Sequence, residues 1–469
     1  MINLVRNELF KVIKKKGFII MVIVMLAYAV LTNFIYKTLS SYILEGEEYI
    51  NEDYAEMYDV NNREELPYYV KEKTSYDLYK LRENYKKDSW QYNYLVQADV
   101  YDILYRINSY ENKLSLNEED YKSAKEEYDV IIKKLDTDDW KEIVESEKKS
   151  YEEQLLTEED TKTKKELEIR IEEQSIRLDK DISYAKSYLN DALMNYIENK
   201  ITLLEYEDKD ISKLNKDEKD SYFEVREQYL ANEYALENNV DISTVGNLRT
   251  IMGSFFNEYL LMLVIMIFMI AGSITSQEFS KGTIKLLLLK PYSRVKILLS
   301  KYITVILSIF IAFIIMFIIQ LVVGGIFFGF DSLSDPMIIY SNISDSITIV
   351  NVFKYVFMTF IGLLPCFLLL ATLAFAASTL FTNTALAVVI GFVGYIGGNM
   401  ISELLISLKY WWIKYIFCFN WNLTPYIFNY SPSINGVSMI FSIVVCVVYL
   451  LLLLVPTFIL FKRKDITNV

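Results

Sequence analysis

Residues 276 to 302, SQEFSKGTIKLLLLKPYSRVKILLSKY, concentrate charge between two uncharged runs, each long enough to cross a bilayer. From Glu278 to Lys301 the stretch carries Lys281, Lys285, Lys290, Arg294, Lys296 and Lys301 against a single acid, a basic loop of the kind that stays on the cytoplasmic side. Its inner part is amphipathic. Ile284, Leu287 and Leu288 recur at helical spacing with Lys285 on the other side, and Pro291 breaks the run. The pattern predicts a short helix at the membrane surface, charged face toward the cytosol. A plain membrane-hugging linker would share it.

Other chemistry is scarce. The chain contains no His, the commonest metal ligand and general base. Cys366, Cys418 and Cys446 lie in or beside apolar runs, so neither a disulfide framework nor a thiolate zinc site is expected. No G-x-x-x-x-G-K-[ST] loop occurs, and the glycines from Gly324 to Gly329 lack the lysine that phosphate binding needs. No nucleophile and base stand at workable spacing. The expectation is a chain with no catalytic residues, metal or cofactor of its own.

Glu278, Lys281-Gly282-Thr283, Pro291 and Arg294, with Lys301 closing the stretch, resemble the signature loop of ABC-2 type transporter permeases, which reads as an acid, a Gly-Thr pair, a Leu-rich segment, a Pro and an Arg. The likeness spans under thirty residues. It implies a coupling helix that docks into a separate ATPase subunit, which would hold the ATP and Mg, and a dimer with a second permease copy or a paralogue. It implies that Glu278 pairs with a basic group of the loop or partner, that Gly282 permits a close backbone approach, and that Pro291 and Arg294 end the helix and return it to the membrane. It also favours export of amphiphiles such as antimicrobial peptides. A sensor or scaffold that transmits ATPase motion without moving substrate is the alternative.

The elements that must position this loop follow from charge and periodicity. Residues 41–250 hold 30 basic and 53 acidic side chains, leaving 18 basic and 8 acidic for the remainder, so an acidic soluble part interrupts a basic membrane part. The acidity argues against nucleic acid as a partner. Residues 1–16 carry five basic groups and one acid, with Leu4, Leu9, Phe10 and Ile13 near one helical face, an amphipathic lead into an uncleaved anchor at 17–40. Further spans are expected at 251–277, 297–330, 354–381, 384–406 and 435–461. The coupling loop occupies 278–296, an acidic outer loop 331–353, an interfacial or re-entrant segment rich in Trp 407–434, and a basic tail 462–469. The N-terminal stretch, the loop and the tail hold fourteen of the eighteen basic residues outside 41–250, which predicts a multi-pass protein of the bacterial plasma membrane with both termini inside and 41–250 outside.

Within 41–250 the only glycines are Gly46 and Gly246 and the only proline is Pro67, which predicts long helices. Leu178, Ile182, Ala185, Leu189, Ala192 and Tyr196 step as a heptad seam, as do Tyr121, Ala124, Tyr128, Ile131 and Leu135, with Ser115 and Glu118 at capping-box spacing before the latter. Tyr94, Ala98, Tyr101 and Tyr105 repeat the pattern. The fold class expected is all-α: six membrane helices with a large, coiled-coil-like helical domain inserted after the first. Pro365 should kink the fourth span and leave a carbonyl for a neighbour to satisfy.

Overall fold

The computed structural model describes residues 1–45, 53–97, 100–137, 139–284, 292–381, 383–406, 408, 410–432, 434 and 436–464. Of the described residues, 77% are helical. In order come α1 (Ile2–Ile13), α2 (Lys16–Glu45), α3 (Tyr54–Met57), α4 (Leu66–Glu83), α5 (Trp90–Gln97), α6 (Val100–Glu111), α7 (Glu118–Leu135), α8 (Trp140–Thr157), α9 (Thr161–Lys180), α10 (Tyr188–Leu204) and α11 (Lys216–Asn238). They are followed by α12 (Leu248–Gly253), α13 (Phe255–Ser273), α14 (Ser276–Ser280), α15 (Arg294–Phe328), strands β1 (Met337–Ser341) and β2 (Ser346–Val350), α16 (Val352–Leu380), α17 (Thr384–Ile406), α18 (Thr424–Ile427) and α19 (Met439–Arg463). Two bodies result: residues 1–44 with 244–469, and residues 45–243.

Six helices of the first body are long and apolar enough to cross a membrane: Lys16–Ser41 of α2, then α13, α15, α16, α17 and α19. Large apolar side chains such as Ile23, Leu31, Val393 and Leu452 point outward, as lipid-facing positions require. The interior is aromatic and small: Phe255, Phe268, Phe360, Phe367 and Phe375 are buried against Ala271, Ala312 and Ala374. One polar knot pins α2, α13 and α15 together. Asn33 and Gln320 exchange amide hydrogen bonds at 2.9 and 3.2 Å, and the Tyr259 hydroxyl donates to Gln320 Oε1 at 2.5 Å. Such intramembrane bonds contribute about 0.6 kcal/mol each.

Pro365 lies inside α16, and the segment 421–423 takes over the broken ladder there. Cys366 N–H donates to the Trp421 carbonyl at 3.1 Å, and Leu423 N–H donates to the Gly362 carbonyl at 2.8 Å. A Cβ on Gly362 would stand 2.9 Å from Thr424 N, so only glycine admits this backbone. Residues 421–423 therefore pack by main-chain bonding onto a gap in a helix.

The all-α expectation needs one correction. Within the stretch expected as an outer loop, β1 and β2 form an antiparallel hairpin in the register Ile339↔Thr348, tied to the segment between α18 and α19 by Ser341 Oγ donating to the Asn429 carbonyl at 2.7 Å. The alternating Ile and Thr of SITIV suit a pleated, half-buried surface.

Among the described residues the second body has three apolar centres, one uniting α4 to α8 around Leu95, Val100 and Val144, a smaller one between α6 and α7 around Ile103, Ile107 and Ala124, and one uniting α9 to α11 around Leu193, Ile197 and Ala235. Its tyrosines pack and also donate. Tyr94 and Tyr184 both hydrogen-bond Glu147, at 2.7 and 2.9 Å, and Arg177 lies over the Tyr184 ring while pairing with Glu173 at 3.0 Å. The seam expected through 178–196 is not one helix. Asp181 adopts the left-handed conformation (φ 57°) and ends α9, and Ser187 caps α10 six residues later. Asp reaches that conformation more readily than most residues, so a helix stopped without glycine. The seam of Tyr121 to Leu135 does lie on one helix, α7, but its cap is Asn117, not Ser115. A capping box forms instead at Asn215 and Glu218. Ala98 of the third seam lies outside the described residues.

Packing at these positions sets two stability contrasts. Gly362→Ala should lower the thermal midpoint of the detergent-solubilised protein, at a cost of about 1–3 kcal/mol for overpacking against backbone that cannot yield. Gly397→Ala, with nothing within 4 Å of the new methyl, should not. In the second body, Leu193→Ala should cost about 2–5 kcal/mol by leaving a cavity, seen as faster amide exchange in α10. Leu156→Ala, at an 86% exposed position, should be silent.

Candidate functional site

At one end of the first body α1, the end of α13, α14 and the start of α15 meet around a buried ammonium. Glu8 lies on the face of α1 that buries Leu4 and Val12, four residues to either side, so a carboxylate is carried into apolar packing. Lys301, two turns into α15, is 0% exposed. Its Nζ stands 2.8 Å from Glu8 Oε2, 2.9 Å from Glu278 Oε2 and 3.1 Å from the Ile274 carbonyl, which the end of α13 leaves without a helical donor. Lys11 closes the cluster from outside, 2.7 Å from Glu8 Oε1 and 3.4 Å from Glu278 Oε1. Two cations and two anions balance. In low dielectric such a cluster holds only complete: removing one member leaves an uncompensated buried charge.

Ionisation along α1 reflects this arrangement. Burial opposes the charge of Glu8, but Lys301 and Lys11 outweigh it and hold the carboxyl below its ordinary value. Burial likewise opposes the charge of Lys11, and Glu8 with Glu278 reverses this, raising it. Lys15 goes the other way: burial first, then the positive charge of Lys301, push it down to about 8. Its Nζ donates to Ser273 Oγ at 3.3 Å.

Neighbouring turns fix the position of Glu278. The amides of Thr275 and Ser276 donate to Ser378 Oγ at 3.2 and 3.0 Å, and the Ser276 hydroxyl meets that of Thr384 at 2.8 Å, which anchors α14 where α16 ends and α17 begins. The basic tail completes the frame. Arg294 Nη1 donates to the Lys464 carbonyl at 2.8 Å, while Lys464 Nζ donates to the Leu380 carbonyl at 2.9 Å, at the negative end of the α16 dipole, and lies 4.3 Å over the Phe279 ring. The N-terminal helix, the loop after α13, the α16–α17 junction and the tail thus share one end of the bundle.

Of the residues singled out from sequence, Glu278 is in the cluster and Lys281 beside it. Thr283 donates to the Glu278 carbonyl at a long 3.5 Å. Gly282 has φ +67°, and a methyl added to it would meet no atom within 4 Å, so within this chain glycine supplies a left-handed turn rather than a close approach. Arg294 starts α15 and grips the tail rather than merely ending the preceding helix. Pro291 and the apolar positions Leu287 and Leu288 lie outside the described residues. Sequence reasoning missed Glu8 and the role of Lys301. The signal for Glu8 was its being the one acid of residues 1–16, in step with Leu4 and Val12.

A family model described as "Protein of unknown function (DUF2705)" matches residues 221–467, from within α11 through the last span. "Uncharacterized protein YhcI" of Bacillus subtilis is 32% identical over 252 residues, covering 53% of this chain and 78% of that protein. "Uncharacterized membrane protein YdbK" of the same organism is 29% identical over 197 residues, 42% of this chain and 75% of that protein. No solved structure matches. Six apolar helices and a relative named as a membrane protein make this a multi-pass membrane protein, and the chain belongs to the DUF2705 family.

Proposed function

We propose that this chain is the membrane subunit of an ABC exporter, in which α14 and the loop after it couple a separate ATPase to the six spans, moving an amphiphilic substrate across the plasma membrane. The observation that carries the reading is the cluster of Lys301 with Glu8 and Glu278. It ties the loop that resembles an ABC-2 signature to both α1 and α15, so a force on the loop reaches two other helices through charges that cannot separate cheaply. The partner would hold ATP and Mg, and a second copy or a paralogue would complete the transporter. The separate, independently cored body at 45–243 favours a second reading, a sensor that relays ATPase motion to that body without transport.

Orientation is testable first. With the natural cysteines Cys366, Cys418 and Cys446 all buried, background labelling is low. In intact cells a membrane-impermeant maleimide should label a cysteine at Glu158 and spare one at Ser280. Labelling at 280 would contradict the proposed sidedness.

The coupling role is tested with the co-expressed ATPase. Glu278→Gln keeps shape but removes charge from one arm of the cluster, and should abolish transport-linked stimulation of ATP hydrolysis while the subunit stays in the membrane. Gly282→Leu should weaken co-purification of the ATPase, because a docked turn concentrates its binding energy in few residues. Normal stimulation and normal co-purification in both variants would refute the coupling assignment. Normal ATPase coupling with no substrate efflux would favour the sensor.

A further inference from the structure

Two cavities adjoin the charge cluster between α1, the start of α2 and α13. The first, of about 460 Å³, is lined by Lys11, Lys14, Lys15 and Lys281 with Ser273 and Gln277, and by the two carboxylates of the cluster, Glu8 and Glu278. The second, of about 400 Å³, runs along the span, lined by Phe18, Met21, Met266, Met269 and Ile270. Val12, Lys15, Ser273, Gln277 and Lys281 line both, so one mouth serves a polar and an apolar chamber.

Charge at this mouth is not balanced by the protein. Among the described residues no carboxylate lies within 4 Å of the ammonium of Lys14, Lys15, Lys16 or Lys281, whereas Glu8 and Glu278 are engaged with Lys301 and Lys11. Four cations, Lys14, Lys15, Lys16 and Lys281, are thus in excess over two lining carboxylates that Lys301 and Lys11 already neutralise. They stand where the first span begins and the second ends, the depth of lipid headgroups. Methionines line the apolar chamber, and their unbranched, polarizable side chains accommodate a flexible chain.

We propose that these chambers hold one anionic phospholipid, its phosphate among Lys15, Lys281 and Ser273 and one acyl chain along Phe18, Met21 and Met266. Basic pockets between membrane helices on the cytoplasmic side bind such headgroups. The lipid supplies the anion that Lys15 lacks. It also explains the separation of roles: the carboxylates that line the first cavity are held by Lys301 and Lys11, and the spare lysines are left for the lipid. The site requires only that the six helices span a membrane and stands apart from the ATPase reading.

The test is native mass spectrometry of the full chain in neutral detergent, with phosphatidylglycerol and phosphatidylcholine of matched chains offered in turn. Phosphatidylglycerol should be retained preferentially. Lys15→Ala with Lys281→Ala should weaken that retention by about 30-fold, or about fivefold for each basic residue at headgroup depth. Lys133→Ala with Lys149→Ala, in the second body, should leave it unchanged. Met269→Trp, which fills the apolar chamber and keeps every charge, should also weaken it, so the proposal stays testable if the lysine variant fails to fold. Thermal unfolding with glycerol 3-phosphate separates the sources: a lipid site predicts little shift against a clear one with phosphatidylglycerol. Equal retention of the two lipids, equal shifts with glycerol 3-phosphate, or full retention in Met269→Trp would overturn the proposal.

Discussion

A lysine with no exposed surface cannot stay charged in a membrane protein unless its environment is built for it, and much of the first body is arranged to meet that condition at Lys301. Glu8 must come from α1, Glu278 from α14 and a free carbonyl from the end of α13. Those three requirements fix the N-terminal helix against the third span and hold the turn after the second. Ser378, Thr384 and the tail then hold α14 in place from the other side. Hydrophobic burial explains why the spans pack. It does not explain why a short N-terminal helix with five basic residues nearby should bury one face, and the charge cluster does.

Function then becomes a question of what the cluster transmits. The stretch that resembles an ABC-2 signature begins in α14, and its first acid, Glu278, is one wall of the Lys301 site. Any partner that moved α14 would strain two ion pairs at once, those of Glu278 with Lys11 and Lys301. The uncompensated lysines immediately beside the cluster are where the anionic lipid proposed above would add a second input, from the membrane itself. Both proposed inputs would act at the same end of the bundle.

Much of this was legible in the sequence because membrane spans, basic clusters and a helix-interior proline each have a local cause. Pro365 implied a break in the helical ladder that a neighbour would meet, and only the identity of that neighbour, the segment 421–423 bonding to Gly362 and Cys366, needed the fold. What escaped notice depended on long-range pairing or on atypical residues. Glu8 and Lys301 lie 293 positions apart, and each taken alone looks like a charge at a membrane edge. Asp181 stops a helix in the middle of an uninterrupted heptad pattern, because periodicity reports which face is apolar and not whether the backbone continues. The hairpin at 337–350 was obscured by flanking acids, although the alternation in SITIV carried its signature.

If Lys301 and its carboxylates act as one unit, a double-mutant cycle measures that directly. Glu8→Gln, Lys301→Met and the pair together would be compared by thermal unfolding of the full chain in detergent. Each single change should destabilise, because it leaves a buried partner unmatched, and the double change should recover part of the loss, with a coupling energy of about 1–3 kcal/mol. Additive effects, with no coupling between positions 8 and 301, would contradict the single-unit arrangement.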